Sequence, residues 1–317
     1  MSLPRISIVT PCFNAEQFLE ETINSVLSQN YPDLQYIIVD GGSKDRSVEI
    51  IKKYEKYLDH WISEPDEGQS DAICKGLAFC NGAVFNWLNS DDTYRSNALR
   101  TVGEFFLDPA TKVLAARSRL FGLGIDRISP GTDIYPGNIE RTIGRARIDQ
   151  PETFMRLKRI VCIGGPKREL HFAMDKELWI RYLICFGLDG IRSSSDVLVN
   201  FRYHQTSKTI SQRNGFEEED NILSRTILSL TSRDIDKARI NLTDHKPPKL
   251  DILKIKEQWC LHRYEIAYAQ RNWDRMNYWR RLVLEYQTSF TTLQTLLNLE
   301  IRRSIFCLSS NLSIYTA

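Results

Sequence analysis

The sequence predicts an α/β protein with a Rossmann-like, mostly parallel sheet flanked by helices, followed by a helical C-terminal extension. From Ile6 to about Ala116, short apolar runs alternate with stretches whose apolar residues recur at helical spacing. That alternation is typical of parallel strands joined by helical crossovers. After about Phe216 the pattern changes to long helices. Polar residues follow four of the predicted strands, which places candidate site residues at one edge of the sheet.

The predicted elements follow one another in a regular order. Apolar runs predict strands at 6–10, 35–39, 60–63, 83–88 and 112–116. Helices between them are indicated by Leu19, Ile23 and Val26, by Val48, Ile51 and Leu58, and by the ranges 70–80 and 98–107. Further along, the pattern predicts hairpin and loop at 117–150, a short helical piece at 152–157, a helix at 175–186 and a strand at 196–203.

The C-terminal part is predicted to consist of long helices. Lys246-Pro247-Pro248-Lys249 is predicted to be a linker, because paired prolines do not fit inside a helix. Beyond it, a helical stripe is formed by Met276, Trp279, Val283 and Tyr286. We therefore divide the chain into an α/β domain, residues 1–212, and a helical extension, residues 213–317.

Composition narrows the class of protein. Lys and Arg total 42 against 40 Asp and Glu in 317 residues, so no global positive field would recruit nucleic acid. The seven cysteines are scattered without a Cys-x-x-Cys pair, which indicates reduced thiols in a cytoplasmic protein. No run of 18 apolar residues occurs and no apolar leader region is recognisable. A peripheral contact with the inner membrane face stays open.

Four strand ends carry polar residues. They are Thr10-Pro11, Asp40-Gly41-Gly42, Glu64-Pro65-Asp66 and Asp91-Asp92. Ligands of open α/β sheets bind beyond the carboxyl ends of the strands. The adjacent carboxylates of Asp91 and Asp92 repel each other, and a hard divalent cation would offset that repulsion. The alternative is a solvated turn in which Asp92 caps the next helix.

Several segments together resemble the inverting family 2 glycosyltransferases, which have the GT-A fold. The segments are Ile6-Ser7-Ile8-Val9-Thr10-Pro11-Cys12-Phe13-Asn14, Ile38-Val39-Asp40-Gly41-Gly42-Ser43-Lys44-Asp45, Leu88-Asn89-Ser90-Asp91-Asp92, Asp66 through Gly76 and Phe172 through Trp179. They occur in the order and spacing of that family, over roughly residues 5–212. A dehydrogenase would instead require Gly-x-Gly-x-x-Gly after the first strand, where this chain has Thr10-Pro11-Cys12-Phe13-Asn14.

The resemblance implies roles on the donor side. Asp40 would accept the imide N–H of uracil, with capping of the helix entered through Ser43 as the alternative. Thr10, Pro11 and Asn14 would border the nucleotide, and Asp71 would face it unless it pairs with Lys75, four residues along a helix. Asp92 would bind Mn²⁺ or Mg²⁺ directly, while Asp91 reaches ribose or ion-bound water.

The resemblance also implies roles on the acceptor side. Asp175 would be the general base, since direct displacement requires the acceptor hydroxyl to lose its proton during attack. Capping of the helix that begins there is the alternative. His204 would be a third metal ligand and Lys208 a diphosphate contact, although a lone histidine is a weak metal signal.

These residues predict a metal-assisted inverting glycosyltransferase. It would move a sugar from a nucleotide-diphosphate donor, a UDP-sugar in our interpretation, to a hydroxyl of a glycan or lipid-linked acceptor. The alternative is a catalytically silent module that binds nucleotide sugars. A basic cluster, with members Arg141, Arg145, Arg147, Arg156, Lys158 and Arg159, is either a solvated face or a site for an anionic acceptor. The C-terminal helices leave a homodimer or a membrane contact open.

Overall fold

The computed structural model describes residues 2–240, 242, 247–286 and 289–312. Across these residues the strands are β1 Ile6–Cys12, β2 Leu34–Asp40, β3 His60–Ser63, β4 Val84–Trp87, β5 Thr93–Tyr94, β6 Val113–Gly122, β7 Ile125–Ile128, β8 Thr153–Arg156 and β9 Ile191–Arg202. The helices of the α/β part are α1 Leu19–Leu27, α2 Ser47–Tyr54, α3 Gln69–Leu77, α4 Ala98–Phe105, α5 Ile139–Arg145, α6 Leu157–Cys162, α7 Met174–Phe186 and α8 Lys208–Ser211. The C-terminal helices are α9 Arg213–Ser229, α10 Ser232–Ala238, α11 Ile252–Ala269, α12 Trp273–Glu285 and α13 Phe290–Leu312.

One mixed sheet organises the α/β part. Its strand order is β3-β2-β1-β4-β8-β6-β9-β5, and β7 pairs with β6. Strands β3, β2, β1 and β4 are parallel to one another, as predicted. Beyond β4, the antiparallel β8 separates β4 from β6, and β9 runs parallel to β6. The α/β prediction with a mostly parallel sheet is therefore confirmed, and only β5, β7 and β8 run against the other six described strands.

Burial explains the elements nearest the site. All seven residues of β1 are buried, as expected for a central parallel strand covered on both faces. Helix α1 covers it with Leu19, Ile23 and Val26, which recur at helical spacing and are fully buried. The parallel strands therefore end together at one edge, where the loops that follow β1, β2 and β4 meet.

One predicted element has the wrong type. Residues 152–157 were expected to be helical, but a short 3-10 turn, Gln150–Glu152, leads directly into strand β8. The side chains of Thr153, Phe154 and Met155 are buried because β8 lies between β4 and β6. Pairing with strands distant in the sequence thus overrides the local pattern. Within the segment predicted as hairpin and loop, the β6–β7 hairpin is present and helix α5 is additional.

The C-terminal helices share a hydrophobic core with the α/β part. Trp259 on α11 and Trp179 on α7 are fully buried in one cluster. The predicted stripe on α12 joins it, with Met276 and Val283 fully buried. In the predicted linker, Lys246 lies outside the described residues, while Pro248 accepts a hydrogen bond from Arg239. A division at residue 212 stays a prediction. None of the described helices combines the length and apolar character needed to cross a membrane.

Candidate active site

A cavity of about 910 Å³ opens beyond the carboxyl ends of the parallel strands. Its wall contains six of the residues proposed from the sequence: Pro11, Asn14, Asp91, Asp175, His204 and Lys208. The four others, Thr10, Asp40, Asp71 and Asp92, are buried. The fold therefore brings Asp91, Asp175 and His204 to one cavity, although Asp91 lies 84 positions before Asp175 and 113 positions before His204 in the sequence.

Asp91 and His204 form a pair at this cavity. His204 Nε2 lies 2.9 Å from Asp91 Oδ2, and His204 Nδ1 lies 2.9 Å from Thr206 Oγ1. The imidazole also packs against the Phe18 ring, with 4.7 Å between centroids. Both members of the pair are partly exposed. A carboxylate and an imidazole thus face the space in which a ligand would bind.

Asp92 points away from that space. Its side chain is buried, Oδ1 accepts a hydrogen bond of 2.9 Å from Arg202 N, and Oδ2 accepts one of 3.4 Å from Asn89 Nδ2. Burial, together with the neighbouring charge of Asp91, raises the pKa of Asp92 well above the ordinary 3.8. The two carboxylates do divide between opposite sides, as strand alternation predicts, but Asp91 is the one at the cavity wall.

Asp40 organises the loop after β2. Its Oδ2 accepts hydrogen bonds from Gly42 N, Ser43 N and Ser63 Oγ at 3.1, 3.0 and 2.7 Å, and Oδ1 accepts from Ser43 Oγ. Every one of these donors belongs to the loop itself or to β3. Asp40 thus closes the turn after β2 and does not cap α2, which begins at Ser47 with Arg46 at its N-cap position. Gly41 lines the cavity beside Asp66, where a side chain at position 41 would overlap the Asp66 carboxylate.

Asn14 joins the loops that follow β1 and β2. Its backbone N–H donates to Ser43 Oγ at 2.8 Å, and its Oδ1 accepts from Lys44 N at 2.9 Å. The φ of 48° places Asn14 in the left-handed region, which asparagine tolerates better than most residues. Thr10, in contrast, lies inside the core, with Oγ1 3.1 Å from Tyr36 OH. Of these three residues, Pro11 and Asn14 border the cavity, whereas Thr10 lies in the core next to Pro11.

Asp71 is held by cations. Its Oδ1 pairs with Arg168, and Lys75 Nζ lies 3.4 Å from Oδ2. Glu67 N also donates to Oδ2 at 3.2 Å. The ion pair with Lys75 that the helical spacing suggested is present, and the stronger partner comes from 97 residues away. Asp71 therefore ties helix α3 to the segment before α7.

Asp175 lies at the cavity wall in the first turn of α7. Its half-buried carboxylate accepts a hydrogen bond of 2.7 Å from Lys176 N. Burial raises the pKa of Asp175 to about 6, and the charge of Lys176 only partly offsets this. A carboxylate with that pKa is ionised at neutral pH and can still take a proton from a reacting group.

Lys208 brings a positive charge to the same wall. Its Nζ donates to Gln69 Oε1 at 3.2 Å and to the His171 carbonyl at 3.1 Å. Burial lowers the pKa of Lys208. Both acceptors are neutral, so the charge is not cancelled by either of these contacts. The ammonium is suitably placed to contact an anionic ligand.

Sequence comparison identifies the chain. The family profile described as "Glycosyl transferase family 2" matches residues 7–164. An uncharacterized glycosyltransferase of Mycobacterium tuberculosis is 30% identical over 194 residues, which cover 58% of this chain and 71% of the relative. The chain belongs to glycosyltransferase family 2. A putative teichuronic acid biosynthesis glycosyltransferase of Bacillus subtilis is 35% identical to this glycosyltransferase over 109 residues, 33% of the chain and 43% of the relative.

Solved structures agree on the GT-A fold of this family 2 glycosyltransferase. The crystal structure of S. aureus TarS 1–349 in complex with UDP-GlcNAc matches with a TM-score of 0.59 and 17% identity, covering 89% of both chains. The mannosyltransferase PcManGT from Pyrobaculum calidifontis, in complex with GDP-Man and Mn²⁺, matches with a TM-score of 0.54 and 13% identity. That match covers 99% of this chain and 81% of PcManGT.

The glycosyltransferase offers few ready-made metal ligands. No group of three or more His, Cys, Asp or Glu side chains is arranged to hold a metal among the described residues. The donor types are nevertheless suitable, because Asp91 contributes carboxylate oxygens and His204 an imidazole nitrogen, and manganese accepts both. The charge of Asp91, which adds to burial in raising the pKa of Asp92, is one that a nearby cation would offset. The donor set therefore fits a divalent cation chemically.

Several residues at the cavity wall were not among those proposed from the sequence. Glu152 is buried at the cavity wall, where Ser129 Oγ donates to it at 3.0 Å and Ser118 Oγ donates to its other oxygen. Burial raises the pKa of Glu152 to about 8. Gln69 and Asn89, which are joined by a 2.7 Å hydrogen bond, also line the cavity. No local motif singles these residues out, since the fold alone assembles their partners.

The basic cluster of the glycosyltransferase is largely engaged in structural contacts. Arg147 pairs with Asp133 at 3.2 Å and Asp149 at 2.9 Å, and Arg145 pairs with Glu265 at 2.7 Å. Arg156 donates to the carbonyls of Thr111, Phe106 and Asp108, and Arg159 donates to Tyr182 OH at 2.7 Å. These contacts favour neither a phosphate site nor a simple solvated face. Of these four arginines, Arg147 lines the cavity.

Proposed function

We propose that this enzyme is an inverting glycosyltransferase that moves a sugar from a nucleotide-diphosphate donor to a hydroxyl of a glycan or lipid-linked acceptor. The observation that carries the proposal is that Asp175 and the Asp91–His204 pair open into one cavity at the carboxyl ends of the parallel strands. A base and a site for a negatively charged leaving group are both required for direct displacement, and both are available there.

For the donor, we propose a UDP-sugar bound between the loops that follow β1 and β2. Phe13, 62% exposed at the cavity wall, offers a ring on which a base can stack. Pro11, Asn14 and Gly41 would border the nucleotide. Asp40 would act by holding the loop after β2, and Asp71 by tying α3 to the segment before α7, since their oxygens already accept hydrogen bonds from protein donors. UDP-GlcNAc in the TarS complex supports uridine as the nucleotide, whereas the PcManGT complex contains GDP-Man.

For the diphosphate, we propose that Asp91 and His204 hold Mn²⁺ or Mg²⁺, with Asp92 supporting them from the buried side. The bound ion would supply Lewis-acid neutralisation of the departing nucleoside diphosphate. Lys208 would contact a phosphate oxygen from the opposite wall, because its ammonium faces the cavity and its two protein acceptors are neutral. Manganese in the PcManGT complex supports the choice of ion.

For the acceptor, we propose that Asp175 removes the hydroxyl proton. The carboxylate is ionised above about pH 6 and lies at the cavity wall. The acceptor oxygen then forms a bond to the anomeric carbon as the bond to the diphosphate oxygen breaks, which inverts the configuration. The rival function, a silent module that binds nucleotide sugars, would not need a carboxylate with a raised pKa at this position.

The proposal is tested by screening nucleotide sugars for metal-dependent nucleotide release and transfer. UDP-GlcNAc, UDP-glucose and GDP-mannose are suitable donors, each with Mn²⁺, Mg²⁺ or EDTA. Asp175→Asn should retain donor binding and lose transfer at least about 100-fold. Asp236→Asn, at an exposed position on α10, is the matched control and should behave like the parent. Equal turnover in the parent and Asp175→Asn would refute the catalytic assignment, whereas donor binding without any transfer in the parent would favour the silent module.

We propose a cytoplasmic location for the reaction. Among the described residues, Cys12, Cys74, Cys80, Cys185 and Cys260 are free thiols, as expected in a reducing compartment. Contact with the inner membrane face and formation of a homodimer stay predictions. Exposed apolar side chains on the C-terminal helices, Leu284, Leu293 and Leu297, are where either contact is expected.

A further inference from the structure

The first helix of the C-terminal extension holds the segment that leads to Asp175. Glu219 on α9 is buried, with only 8% of the residue exposed. Its Oε1 accepts a hydrogen bond of 2.6 Å from His171 N, and its Oε2 accepts from Phe172 N at 2.9 Å and from Ala173 N at 2.7 Å. One carboxylate therefore binds three consecutive backbone N–H groups.

These N–H groups lie where the chain enters α7: Ala173 is the N-cap residue, and His171 and Phe172 directly precede it. The first N–H groups of a helix have no partner within it, and Ala173 at the N-cap position has no side-chain acceptor of its own. A negative charge at a helix N-terminus is also favoured by the helix dipole. Glu219 supplies both the acceptor and the charge from 46 residues away. Asp175 follows Ala173 by two positions, so the geometry of the cap sets the geometry of the base.

Other contacts of α9 hold the same segment. Asp220 accepts a hydrogen bond of 2.7 Å from Lys176 Nζ, directly after Asp175. Before Asp175, the rings of Phe172 and Phe216 lie 5.1 Å apart, and a methyl group on Gly215 would overlap the Phe172 ring. Helix α9 thus contacts the chain on both sides of the proposed base.

We infer that Glu219 is a positioning residue for Asp175, so that the helical extension contributes directly to the catalytic machinery. The inference rests on the proposed role of Asp175 as general base. A base must lie within hydrogen-bond reach of the proton it removes, and a displacement of about 1 Å can reduce the rate about 100-fold. Glu219 fixes the backbone rather than the substrate. Its loss should therefore affect turnover more than donor affinity.

The variant Glu219→Gln tests this inference. Glutamine keeps the side-chain length but replaces one acceptor oxygen with an NH₂ group, which cannot accept from a backbone N–H. We expect kcat for UDP release from the best UDP-sugar to fall about 10- to 100-fold, with the donor KM within about twofold of the parent. Glu218→Gln makes the same charge change at the exposed neighbouring position and should leave kcat unchanged. Glu219→Asp, which keeps the charge on a shorter side chain, should lose less than Glu219→Gln.

A double-mutant cycle separates positioning from general stabilisation. If Glu219 acts through Asp175, adding Glu219→Gln to Asp175→Asn should cause no further loss of the residual rate. Losses that multiply, or a parent-like kcat in Glu219→Gln, would overturn the inference and leave the proposed function intact. Parent-like turnover of Asp175→Asn alone would overturn the proposed function instead.

Hydrogen exchange provides a readout that does not depend on turnover. The amides of His171, Phe172 and Ala173 should lose protection in Glu219→Gln and keep it in Glu218→Gln. Calorimetric UDP binding equal to that of the parent would show that the donor site is still folded. Unchanged protection of all three amides in Glu219→Gln would overturn the inference, because the capping contact would then not control this segment.

Discussion

Replacing the proposed base should make the enzyme inactive and more stable. Burial raises the pKa of Asp175 from the ordinary 3.8 to about 6. The folded protein therefore favours the neutral carboxyl, and ionisation of Asp175 at neutral pH destabilises the fold. The difference between the two pKa values corresponds to about 3 kcal/mol at pH 7.5. Because the half-buried side chain is still reached by water, we expect about 1 to 3 kcal/mol.

The sign follows from proton linkage. Since the pKa of Asp175 is higher in the folded state, its favourable contribution is fully present below 3.8 and is lost as the pH rises to about 6. Asp175→Asn cannot ionise, so it avoids the destabilisation that ionised Asp175 causes. Its amide oxygen can still accept a hydrogen bond from Lys176 N. The variant should therefore exceed the parent in free energy of unfolding at pH 7.5, and the gap should shrink by about half at pH 5.

Urea denaturation of both proteins at pH 7.5 and pH 5 measures this gap. Groups that titrate equally in the two proteins cancel in the difference. In parallel, turnover of the parent should fall below about pH 6 as Asp175 becomes protonated. Equal stability of the two proteins at both pH values, together with pH-independent turnover between pH 5 and 7, would refute the assignment of Asp175 as a desolvated base.

Three further predictions concern the cavity wall and the loops behind it. Asp91→Asn and His204→Ala should each weaken Mn²⁺ binding in the presence of UDP at least about tenfold by calorimetry, and parent-like affinity in both would exclude the pair as ligands. Asp40→Ala should lower the free energy of unfolding by about 2 kcal/mol or more, since four donors in the loop and in β3 lose their acceptor; a change below about 0.5 kcal/mol in urea denaturation would contradict this. Because burial raises the pKa of Glu152 to about 8, Glu152→Gln should be more stable than the parent at pH 9, with the advantage narrowing towards pH 5; thermal unfolding with no such trend would count against it.

The N-terminal half of the fold was predictable from local pattern. A short apolar run predicts strand β1, and Leu19, Ile23 and Val26 at helical spacing predict helix α1. Strand β8 could not be predicted in this way, because it is short and becomes a strand only by pairing with β4 and β6. Its neighbours in the sheet lie far away in the sequence. Local periodicity contains no information about them.

The candidate site was predictable as a set of residues, but not in its detailed arrangement. Strand alternation predicts that Asp91 and Asp92 face opposite ways, yet which of them reaches the cavity depends on Arg202 and Asn89, which hold Asp92. The partner of Asp71 depends likewise on Arg168, which no spacing rule connects to it. Contacts made across such separations are decided by tertiary packing.

The central claim is that one cavity holds the nucleotide, the metal ion and the general base Asp175 together. The most direct measurement is a crystal structure of the enzyme soaked with UDP and Mn²⁺. We predict that the uracil ring lies beside Phe13 and that manganese lies about 2.0 to 2.2 Å from a carboxylate oxygen of Asp91. We also predict that Asp175 faces the open side of the diphosphate. UDP bound outside the cavity, or manganese with no ligand from Asp91, Asp92 or His204, would contradict the account.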